Sequence, residues 1–255
     1  MAKYPAIVQI RNGSSRLRNK AMRKILGRPI FYFLIERVHA IPMVSKIIVA
    51  TTVNASDDEL AGYCRHLGLD VFRGSEENVL DRICQCTNLF PDTYFVKFWG
   101  DSPLIDPKLC AFLIKEFEQK FQGYDYVSNN HPSTFPEGMQ IEIVHREALE
   151  RIYLSQDLKS EDKEHVTSFI WKNPHHFRIG NIENSSNIHD KYRIVLDYPE
   201  DLMQVKKIIE ALYPQNPLFG LDDILRFLDT HPAVKALNSN RYETEVQYKK
   251  RIFGV

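Results

Sequence analysis

Basic side chains are concentrated near the start of the chain, around a short glycine- and serine-rich stretch. Eight lysines and arginines, and no acidic residue, precede Glu36. The residues in and beside that stretch are Arg11, Gly13, Ser14, Ser15, Arg16 and Lys20. A Gly/Ser loop that follows a strand presents backbone N–H groups to an anion, and arginine and lysine add positive charge. This pattern favours a polyphosphate site, with a solvated basic face as the alternative.

Two aspartates that are far apart in the sequence each follow an apolar stretch. Asp101 follows Tyr94–Trp99, and Asp197 follows Tyr192–Leu196. A carboxylate at the carboxyl end of a strand can hold Mg²⁺, which takes one or two carboxylates together with substrate phosphates. Beside an anion-binding loop, the two aspartates would form a metal–triphosphate site. There, Mg²⁺ and basic groups would neutralise the charge that develops on phosphate during in-line attack.

Helix capping is the competing interpretation of these aspartates. Asp106 precedes Pro107 and fits the N-cap of a helix, so we expect capping from it rather than metal binding. Asp197 lies two residues before Pro199, where another helix is predicted to begin, and it is also placed to act as a cap. The sequence alone leaves both roles open for Asp197.

An alternation of strands and helices must position these residues in the first half of the chain. The predicted strands are Ala6–Ile10, Lys46–Thr51, Val71–Phe72 and Tyr94–Trp99. The predicted helices are Pro29–Ile41, Asp57–Leu67, Glu77–Leu89 and Pro107–Phe121. This alternation predicts a parallel sheet with helices on both faces. Ligands bind such sheets at the carboxyl ends of the strands, where the basic loop and the loop Gly100–Asp106 are expected.

The second half of the chain has a mixed pattern. Its predicted strands are Tyr124–Ser128, Gln140–Val144, Phe177–Ile182 and Tyr192–Leu196. Its predicted helices are Arg146–Ser155, Asp162–Lys172, Pro199–Leu212 and Leu221–Leu228. No linker divides the chain, so we expect one domain over residues 1–255. Its expected parts are a first half over about 1–128, a small β-rich lobe over about 129–190, and a returning strand with C-terminal helices over 191–255.

Composition excludes several classes of protein. Lysine plus arginine and aspartate plus glutamate both number 33, and 44% of residues are hydrophobic. This balance argues against disorder, a nucleic-acid coat and a polybasic membrane binder. No apolar run approaches the ~20 residues of a membrane span. The four cysteines lack a C-x-x-C spacing and no secretory signal precedes them, so we expect reduced thiols and a cytoplasmic protein.

The stretch Gln9–Lys20, which reads QIRNGSSRLRNK, resembles the opening motif of cytidylyltransferase-type sugar nucleotidyltransferases. That motif reads roughly Q-A-R-x-G-S-[ST]-R-L-P-G-K. Further blocks that agree in the same order are Val71–Arg82, Gly100–Asp106, Tyr124–Asn129, Phe135–Glu142, Lys163–Thr167 and Leu196–Leu202. The likeness extends over about residues 5–212 and is greatest to the SpsF-like branch, with the CMP-Kdo and CMP-sialic acid synthetases as relatives.

The resemblance implies both a fold and an activity. The fold would be the α/β nucleotide-diphospho-sugar transferase fold, Rossmann-like and GT-A-like, with three αβα layers and a mostly parallel sheet. The small β-rich lobe would serve the acceptor and dimerisation. The activity would be Mg²⁺-dependent transfer of a cytidylyl group from CTP to a sugar acid or a phosphorylated metabolite, with release of pyrophosphate, for surface polysaccharide biosynthesis. The relatives are often dimers, so a homodimer is expected.

The resemblance also implies roles for individual residues. Arg11, Arg16 and Lys20 would be the catalytic cations on the triphosphate. Asp101 and Asp197 would hold Mg²⁺. The residues implied to bind the nucleotide are Gly13, Ser14, Ser15, Arg73, Gly74, Ser75 and Asp81. The residues implied to contact the acceptor are Asn129, Glu137, Gln140, Glu142 and His165, although a packing role is an alternative for His165.

This chain departs from the family pattern at three places. Arg18-Asn19 stands where the branch usually has Pro-Gly, and Gln140 stands where it commonly has aspartate. We expect the first to affect triphosphate affinity and the second to affect the acceptor. The third departure is Trp99, which stands where the branch has a small residue before Gly100, although its aromatic run is typical of a core strand. His131 is expected in a loop or at the surface.

Two other functions fit the same fold. One is a glycosyltransferase that uses a nucleotide sugar, and the other is a non-catalytic nucleotide-binding protein. A glycosyltransferase usually carries a D-x-D metal motif at a strand end, and the stretch Gly100–Pro103 has no second aspartate at that spacing. Retention of Lys20, Asp101 and Asp197 argues against a non-catalytic protein.

Overall fold

A computed structural model describes residues 2–13 and 16–241, so Ser14 and Ser15 lie outside the described residues. The strands are β1 (Tyr4–Gln9), β2 (Lys24–Ile25), β3 (Arg28–Pro29), β4 (Val44–Thr52), β5 (Asp70–Gly74), β6 (Tyr94–Trp99), β7 (Tyr126–Ser128), β8 (Glu142–His145) and β9 (Ile179–Asn181). The α-helices are α1 (Ile30–His39), α2 (Asp58–His66), α3 (Val79–Cys86), α4 (Pro107–Lys120), α5 (Arg146–Tyr153), α6 (Ser160–Glu164), α7 (Ser168–Lys172), α8 (Pro199–Leu212), α9 (Leu221–Thr230) and α10 (Pro232–Lys235).

Seven of the strands form one sheet in the order β5-β4-β1-β6-β8-β7-β9. β1 pairs in parallel with β4 on one side and with β6 on the other, and β4 pairs in parallel with β5. β8 runs antiparallel to both β6 and β7, whereas β7 and β9 are parallel. The carboxyl ends of β1, β4 and β6 therefore meet at one edge of the sheet, as the sequence predicts.

Helices cover both faces of this sheet, so the molecule has three layers. Along β1, Ala6 and Val8 belong to a core that includes α1, α4 and α8, whereas Ile7 belongs to a second core with α3 and α5. Successive side chains of a strand point to opposite faces, so a strand that is apolar throughout is buried on both. The αβα arrangement and the mostly parallel sheet are confirmed.

The region 129–190 differs from its expected β-rich character. It contains three helices, α5 to α7, and only two strands, β8 and β9. Both strands belong to the main sheet, because β8 pairs with β6 and β9 pairs with β7. The predicted boundaries of the parts of the domain stay predictions.

Two predicted elements are interrupted in the structure. The expected strand Tyr192–Leu196 forms only an isolated bridge, between Arg193 and Glu137. Its other backbone bonds go to loops, since the Leu196 N–H donates to the Asp101 carbonyl at 2.8 Å. The expected helix Asp162–Lys172 is broken into α6 and α7.

Asp106 acts as the helix cap that the sequence predicts. Its Oδ1 accepts hydrogen bonds from the backbone N–H groups of Lys108 at 2.7 Å and Leu109 at 3.3 Å. Its Oδ2 accepts another at 2.7 Å from the N–H of Leu221, at the start of α9. One carboxylate therefore joins α4 and α9. Among the described residues, no helix is long and apolar enough to span a membrane.

Candidate active site

A cleft of about 920 Å³ opens at the carboxyl ends of β1 and β6. Two groups of its lining residues differ in chemistry, and we name them separately. The charged half consists of Arg11, Arg16, Lys20, Arg82, Asp101 and Asp197. The aromatic half consists of Lys97, Trp99, His131, Glu137, Gln140, Glu142, Glu164, His165, Thr167 and Trp171. Both groups open into the same cavity.

The basic loop after β1 is tied to the end of β4 by a buried carboxylate. Asp57 accepts hydrogen bonds from the Asn12 N–H at 2.7 Å and from the Thr51 hydroxyl at 2.9 Å. Asn19 has a φ of 53°, in the left-handed region that asparagine tolerates better than most residues. Asn19 therefore permits the turn into Lys20 that a glycine would also allow.

Lys20 is at the centre of the charged half and is only 8% exposed. Its Nζ donates to the Leu196 carbonyl at 2.8 Å and to Asp197 Oδ1 at 2.9 Å. Asp101 Oδ2 lies 3.7 Å from the same Nζ, so one ammonium joins two carboxylates from distant parts of the chain. Arg16 adds a second cation, with its Nη2 3.5 Å from Asp197 Oδ2.

The two carboxylates have pKa values that shift in opposite directions. Burial raises the pKa of Asp101, and the Asp197 charge adds to this increase while Lys20 opposes it. Burial acts in the same direction on Asp197, but the nearby Lys20 and Arg16 outweigh it and hold its pKa below the usual range. Asp197 does not cap α8. Instead, Asp201 Oδ2 accepts the Asp197 N–H at 3.0 Å, which leaves the Asp197 carboxylate in the cleft.

The residues of the charged half fit a magnesium ion. The Asp101 and Asp197 side chains are 28% and 14% exposed and both border the cavity. A donor set of two carboxylate groups, with remaining positions open to phosphate oxygens and water, is typical of Mg²⁺ in nucleotide-dependent enzymes. Within the described residues, no cluster of three or more histidine, cysteine or acidic side chains forms a closed metal site.

Arg11 lines the cleft but is paired with an acidic side chain. Its Nη1 lies 3.1 Å from Glu76 Oε1, and Glu76 also accepts a hydrogen bond from Asn54. A Cβ added at Gly13 would lie 3.0 Å from that same Glu76 oxygen. Glu76 therefore occupies the space beside the basic loop, and Arg11 must exchange partners to reach a phosphate.

Five of the nucleotide-binding candidates do not line the cleft in the described part of the chain: Gly13, Arg73, Gly74, Ser75 and Asp81. Arg73 instead donates to the Thr52 carbonyl at 2.7 Å and pairs with Asp58 at 2.7 Å. Asp81 accepts the Tyr153 hydroxyl at 2.9 Å. Arg73 and Asp81 therefore make their bonds within the protein. The spacing of motif residues does not distinguish such bonds from contacts with a nucleotide base.

Arg82 is a lining residue that the sequence analysis does not single out. It is 1% exposed, its Nη1 donates to the Ser75 carbonyl at 2.5 Å, and its Nε has no hydrogen-bond partner among the described residues. Burial lowers the pKa of Arg82 to about 10, and the charge of Arg11 contributes to the decrease. Gly74 packs on this side chain, since an added Cβ would lie 3.0 Å from Arg82 Cγ.

A buried ion pair underlies the aromatic half. Lys97 and Glu142 are 3% and 1% exposed, and Lys97 Nζ donates to Glu142 Oε2 at 2.7 Å. Glu142 Oε1 accepts the hydroxyls of Tyr126 at 2.7 Å and Thr167 at 2.6 Å. Burial alone would raise the pKa of Glu142, but Lys97 and the two hydroxyls hold it below the usual value. Glu142 is therefore held in its charged form by three neighbouring side chains, and a contact of Glu142 with the acceptor stays a prediction.

Three aromatic rings border the same half. Lys97 Nζ lies 4.0 Å from the ring centroid of Trp99, and the His131 ring stacks on Trp171 at 4.5 Å with an interplanar angle of 28°. All three rings are only partly buried. His131 lies in a loop, as expected, whereas Trp99 ends its strand at the cavity rather than in the core. Both residues are half-covered because they line a cavity.

The break between α6 and α7 brings a short segment to the cleft. His165 and Thr167 lie in this break, and the Ser168 N–H donates to the His165 carbonyl at 2.6 Å. Burial lowers the pKa of His165, so its imidazole is neutral near pH 7. Asp162 holds the two helices together, since its Oδ1 accepts the Ser168 hydroxyl at 3.1 Å.

The remaining acceptor candidates shape the loop between β7 and β8. Asn129 does not line the cleft, because it donates to the Met139 carbonyl and accepts the Ile141 N–H, both at 2.9 Å. Gln140 lines the cleft, but its Nε2 donates to the Pro136 carbonyl at 2.9 Å. An aspartate has no such donor, so this bond to the loop depends on the glutamine, and a contact of Gln140 with the acceptor stays a prediction. Glu137 lines the cleft while paired with the buried Arg193.

Comparisons with known proteins agree with this geometry. A sequence model of a family described as Cytidylyltransferase matches residues 5–231. A protein of Methanocaldococcus jannaschii is 33% identical over 242 residues, which cover 93% of this chain and 95% of that protein. The spore coat polysaccharide biosynthesis protein SpsF of Bacillus subtilis is 29% identical over 231 residues, which cover 89% of this chain and 94% of SpsF.

Solved structures give the same result at the level of the fold. The structure of a cytidylyltransferase from Leptospira borgpetersenii superposes with a TM-score of 0.85 at 26% sequence identity. The superposition covers 92% of this chain and 97% of that one. The similarity of fold therefore extends over nearly the whole length of both chains.

Proposed function

Since the chain belongs to the cytidylyltransferase family and is a nucleotidyltransferase, we propose that its cleft transfers a cytidylyl group from CTP to a small acceptor. The acceptor is a sugar acid or a phosphorylated metabolite, pyrophosphate is released, and Mg²⁺ is required. Surface polysaccharide biosynthesis is part of the same proposal. It is supported by the similarity to SpsF, whose name states that role.

One observation carries the proposal: the ammonium of Lys20 lies against both Asp101 and Asp197 at the border of the cavity. A triphosphate brings several negative charges, which need fixed cations in a site that excludes water. Lys20, Arg16 and Arg11 are the cations that the charged half presents beside the loop after β1. The family membership favours nucleotidyl transfer over glycosyl transfer and over binding without catalysis.

These residues define the chemistry at the α-phosphate. Asp101 and Asp197 would hold Mg²⁺, which when bound neutralises phosphate charge and orients the leaving pyrophosphate. Lys20 and Arg16 contact phosphate oxygens and stabilise the charge that grows as the acceptor oxygen attacks in line. Lys20 must release part of its contact with Asp197 to do so.

The test is pyrophosphate release from CTP, measured with a panel of sugar acids and small phosphates, with Mg²⁺ and with EDTA. We expect release with CTP, Mg²⁺ and a suitable acceptor, and none with EDTA. The metal site has a separate readout, which is the binding of Mn²⁺ followed by its electron paramagnetic resonance signal. Asp101→Asn should weaken Mn²⁺ binding, whereas Asp106→Asn, at the helix cap, should leave it unchanged.

Equal Mn²⁺ affinity in Asp101→Asn and in the unaltered protein would contradict the metal assignment. Absence of CTP binding would contradict the proposed activity.

Formation of a homodimer stays a prediction, and sedimentation of the full chain tests it directly: a mass near twice 29.8 kDa is expected.

A further inference from the structure

We propose that Tyr198 and Arg241 are positioning residues, which hold Arg16 in place for the triphosphate. Neither Tyr198 nor Arg241 lines the cleft. Arg241 also lies beyond residues 5–231, which the family model matches, so the family pattern gives it no role. The inference rests on the proposed nucleotidyl transfer and adds a support for one of the cations on which that function depends.

Arg16 is the cation of the charged half that needs such a support. Its side chain is 42% exposed, whereas that of Lys20 is 10% exposed and is fixed by the Leu196 carbonyl at 2.8 Å. A long, exposed side chain loses rotamer entropy when it binds a ligand. Neighbours that order the side chain beforehand reduce this loss, and the ligand then binds more tightly.

Asp197 is a neighbour of Arg16 that cannot keep this role once substrate is bound. The Arg16 Nη2 lies 3.5 Å from Asp197 Oδ2. In the proposed function Asp197 is a ligand of Mg²⁺ and Arg16 contacts a phosphate, so their ion pair must weaken. A group that holds Arg16 throughout the reaction has to be one that neither the metal nor the phosphate claims.

Tyr198 is a neutral side chain that meets this requirement. The Arg16 Nη1 donates to the Tyr198 hydroxyl at 3.2 Å, and the Arg16 guanidinium carbon lies 5.0 Å from the centroid of the Tyr198 ring. An arginine is attracted to an aromatic ring at this distance through the charge distribution of the ring. Both contacts are compatible with a phosphate on the remaining N–H groups of Arg16, because a guanidinium carries five of them.

The backbone of Tyr198 is fixed by a fully buried carboxylate. The Tyr198 N–H donates to Asp201 Oδ2 at 2.9 Å, in the first turn of α8. Asp201 Oδ1 accepts a hydrogen bond at 2.8 Å from Asn238, which is 1% exposed. The same carboxylate therefore joins Tyr198 to the last segment of the chain that the structure describes.

The ring of Tyr198 is covered by a side chain of that last segment. The guanidinium carbon of Arg241 lies 4.3 Å from the ring centroid, and Arg241 Nη2 donates to Glu200 Oε1 at 2.6 Å. The Arg241 and Glu200 side chains are 26% and 30% exposed, so their ion pair by itself adds little to stability. Its contact with the ring is therefore the consequence that matters for the site.

The charges around the ring are balanced in pairs. Three arginines surround Tyr198, since the Arg193 guanidinium carbon also lies 5.8 Å from the ring centroid. Each arginine has a carboxylate of its own, in the pairs Arg16–Asp197, Arg193–Asp201 and Arg241–Glu200. When the first pair separates to bind substrate, the other two are unaffected, and they keep the ring in position.

The experiment measures CTP affinity in the full chain, so it requires no acceptor. The variants are Tyr198→Leu, the conservative Tyr198→Phe, Arg241→Met and Arg16→Met, and the two Tyr198 variants are also combined with Arg16→Met. The control is Lys206→Met, which removes an exposed ion pair from the same helix α8. Calorimetry with Mg²⁺ gives the Kd for CTP, and chemical denaturation gives the free energy of unfolding.

We expect Arg16→Met to raise the Kd for CTP about 10–100-fold and Tyr198→Leu to raise it about tenfold. Tyr198→Phe keeps the ring and Arg241→Met keeps the hydroxyl, so each should raise the Kd about threefold. Lys206→Met should leave the Kd unchanged. In the Arg16→Met background, either substitution of Tyr198 should change the Kd less than about twofold, because Tyr198 acts through Arg16.

Three results would overturn the inference. One is an unchanged Kd in Tyr198→Leu, and another is an unchanged Kd in Arg241→Met. The third is an equal effect of the Tyr198 substitution with and without Arg16, which a merely structural role would give. If Tyr198→Leu does not fold, Tyr198→Phe decides the same comparison. Failure of the unaltered protein to bind CTP would instead contradict the proposed nucleotidyl transfer, so the two failures are distinguishable.

Discussion

The charged and aromatic halves of the cleft use ionised side chains in different ways. In the charged half, Lys20 is held between Asp101 and Asp197 at contacts of 3.7 and 2.9 Å that border the cavity. In the aromatic half, Lys97 and Glu142 form a closed pair at 2.7 Å beneath the rings. Lys20 can exchange a carboxylate partner for a ligand. Lys97 and Glu142 cannot, because separating them would leave a buried charge without its partner. Charge therefore acts on the substrate in one half and supports the protein in the other.

Arg193 connects the two halves and gives the largest expected effect. It is 1% exposed and pairs with Glu137 of the aromatic half, with Asp201 at 3.1 Å and with Asp197 of the charged half at 3.8 Å. Arg193→Met should lower the free energy of unfolding by about 3–5 kcal/mol, because it leaves buried carboxylates unpaired. Chemical denaturation measures this change. Arg226→Met, at an exposed ion pair, is the control and should change it by less than about 0.5 kcal/mol.

Substitution of Lys20 removes the cation at the centre of the charged half. Lys20→Met should lower kcat/KM for CTP by about 10²–10³-fold, since it deletes a preorganised cation at the reacting phosphate. Pyrophosphate release measures the loss. Lys24→Met, at an exposed lysine of the same basic region, should retain near-normal activity. Equal activity in the two variants would show that the charged half does not act on the phosphates.

A substitution of Glu76 should have a smaller effect on the charged half, and it should strengthen CTP binding rather than weaken it. Its ion pair with Arg11 is more than a third exposed on the arginine side, so the pair contributes at most about 1 kcal/mol. Glu76→Gln should release Arg11 for the triphosphate and tighten CTP binding by up to about fivefold. Calorimetry measures the affinity. Weaker binding in Glu76→Gln would instead show that Glu76 holds the loop in its binding conformation.

The pH dependence of stability tests the aromatic half. Burial lowers the pKa of His165 below the ordinary 6.5, so the unfolded chain binds this proton more readily than the folded one. The contribution of His165 to stability is therefore complete above pH 6.5 and decreases as the pH falls towards the folded pKa. Between pH 7 and pH 5, His165→Gln should lose less free energy of unfolding than the unaltered protein. An identical loss would place the His165 imidazole in water.

The smallest expected effect concerns the reactivity of the cysteines, which belong to neither half of the cleft. All four are buried, and burial raises the pKa of Cys64, Cys84 and Cys86 to about 12. Thiolates are the reactive form, so the native protein should react slowly with a thiol reagent at pH 8 and the unfolded chain should react at four sites. Rapid reaction of one native thiol would mark an opening of the core.

Much of the fold and of the charged half could be predicted because their signals are local. Buried parallel strands read as continuous apolar runs, and Lys20 and Asp101 lie in short polar stretches directly after two of them. The strand Tyr192–Leu196 was predicted wrongly because its apolar residues pack under loops rather than beside a strand. An apolar pattern in the sequence indicates that a segment is buried. It does not indicate which backbone segment supplies its hydrogen-bond partners.

Four residues of the aromatic half were expected at the acceptor from the resemblance, but its rings and Lys97 were missed because distant elements assemble them. Lys97 lies inside an apolar strand, and its partner Glu142 is 45 positions away. Trp171 lies in a stretch with helical periodicity, and only the break between α6 and α7 brings that stretch to the cleft. Asp57 looks like the start of a helix, yet its carboxylate anchors the basic loop. Each role depends on a tertiary contact that no local pattern contains.

Binding of the four nucleoside triphosphates to the unaltered protein, measured by calorimetry with Mg²⁺, tests the central claim most directly. The account predicts that CTP binds more tightly than ATP, GTP and UTP, and that Lys20→Met weakens CTP binding at least tenfold. Both results would place the triphosphate in the charged half. Absence of binding by any triphosphate, or equal CTP affinity with and without Lys20, would contradict the account and make the basic loop a solvated surface.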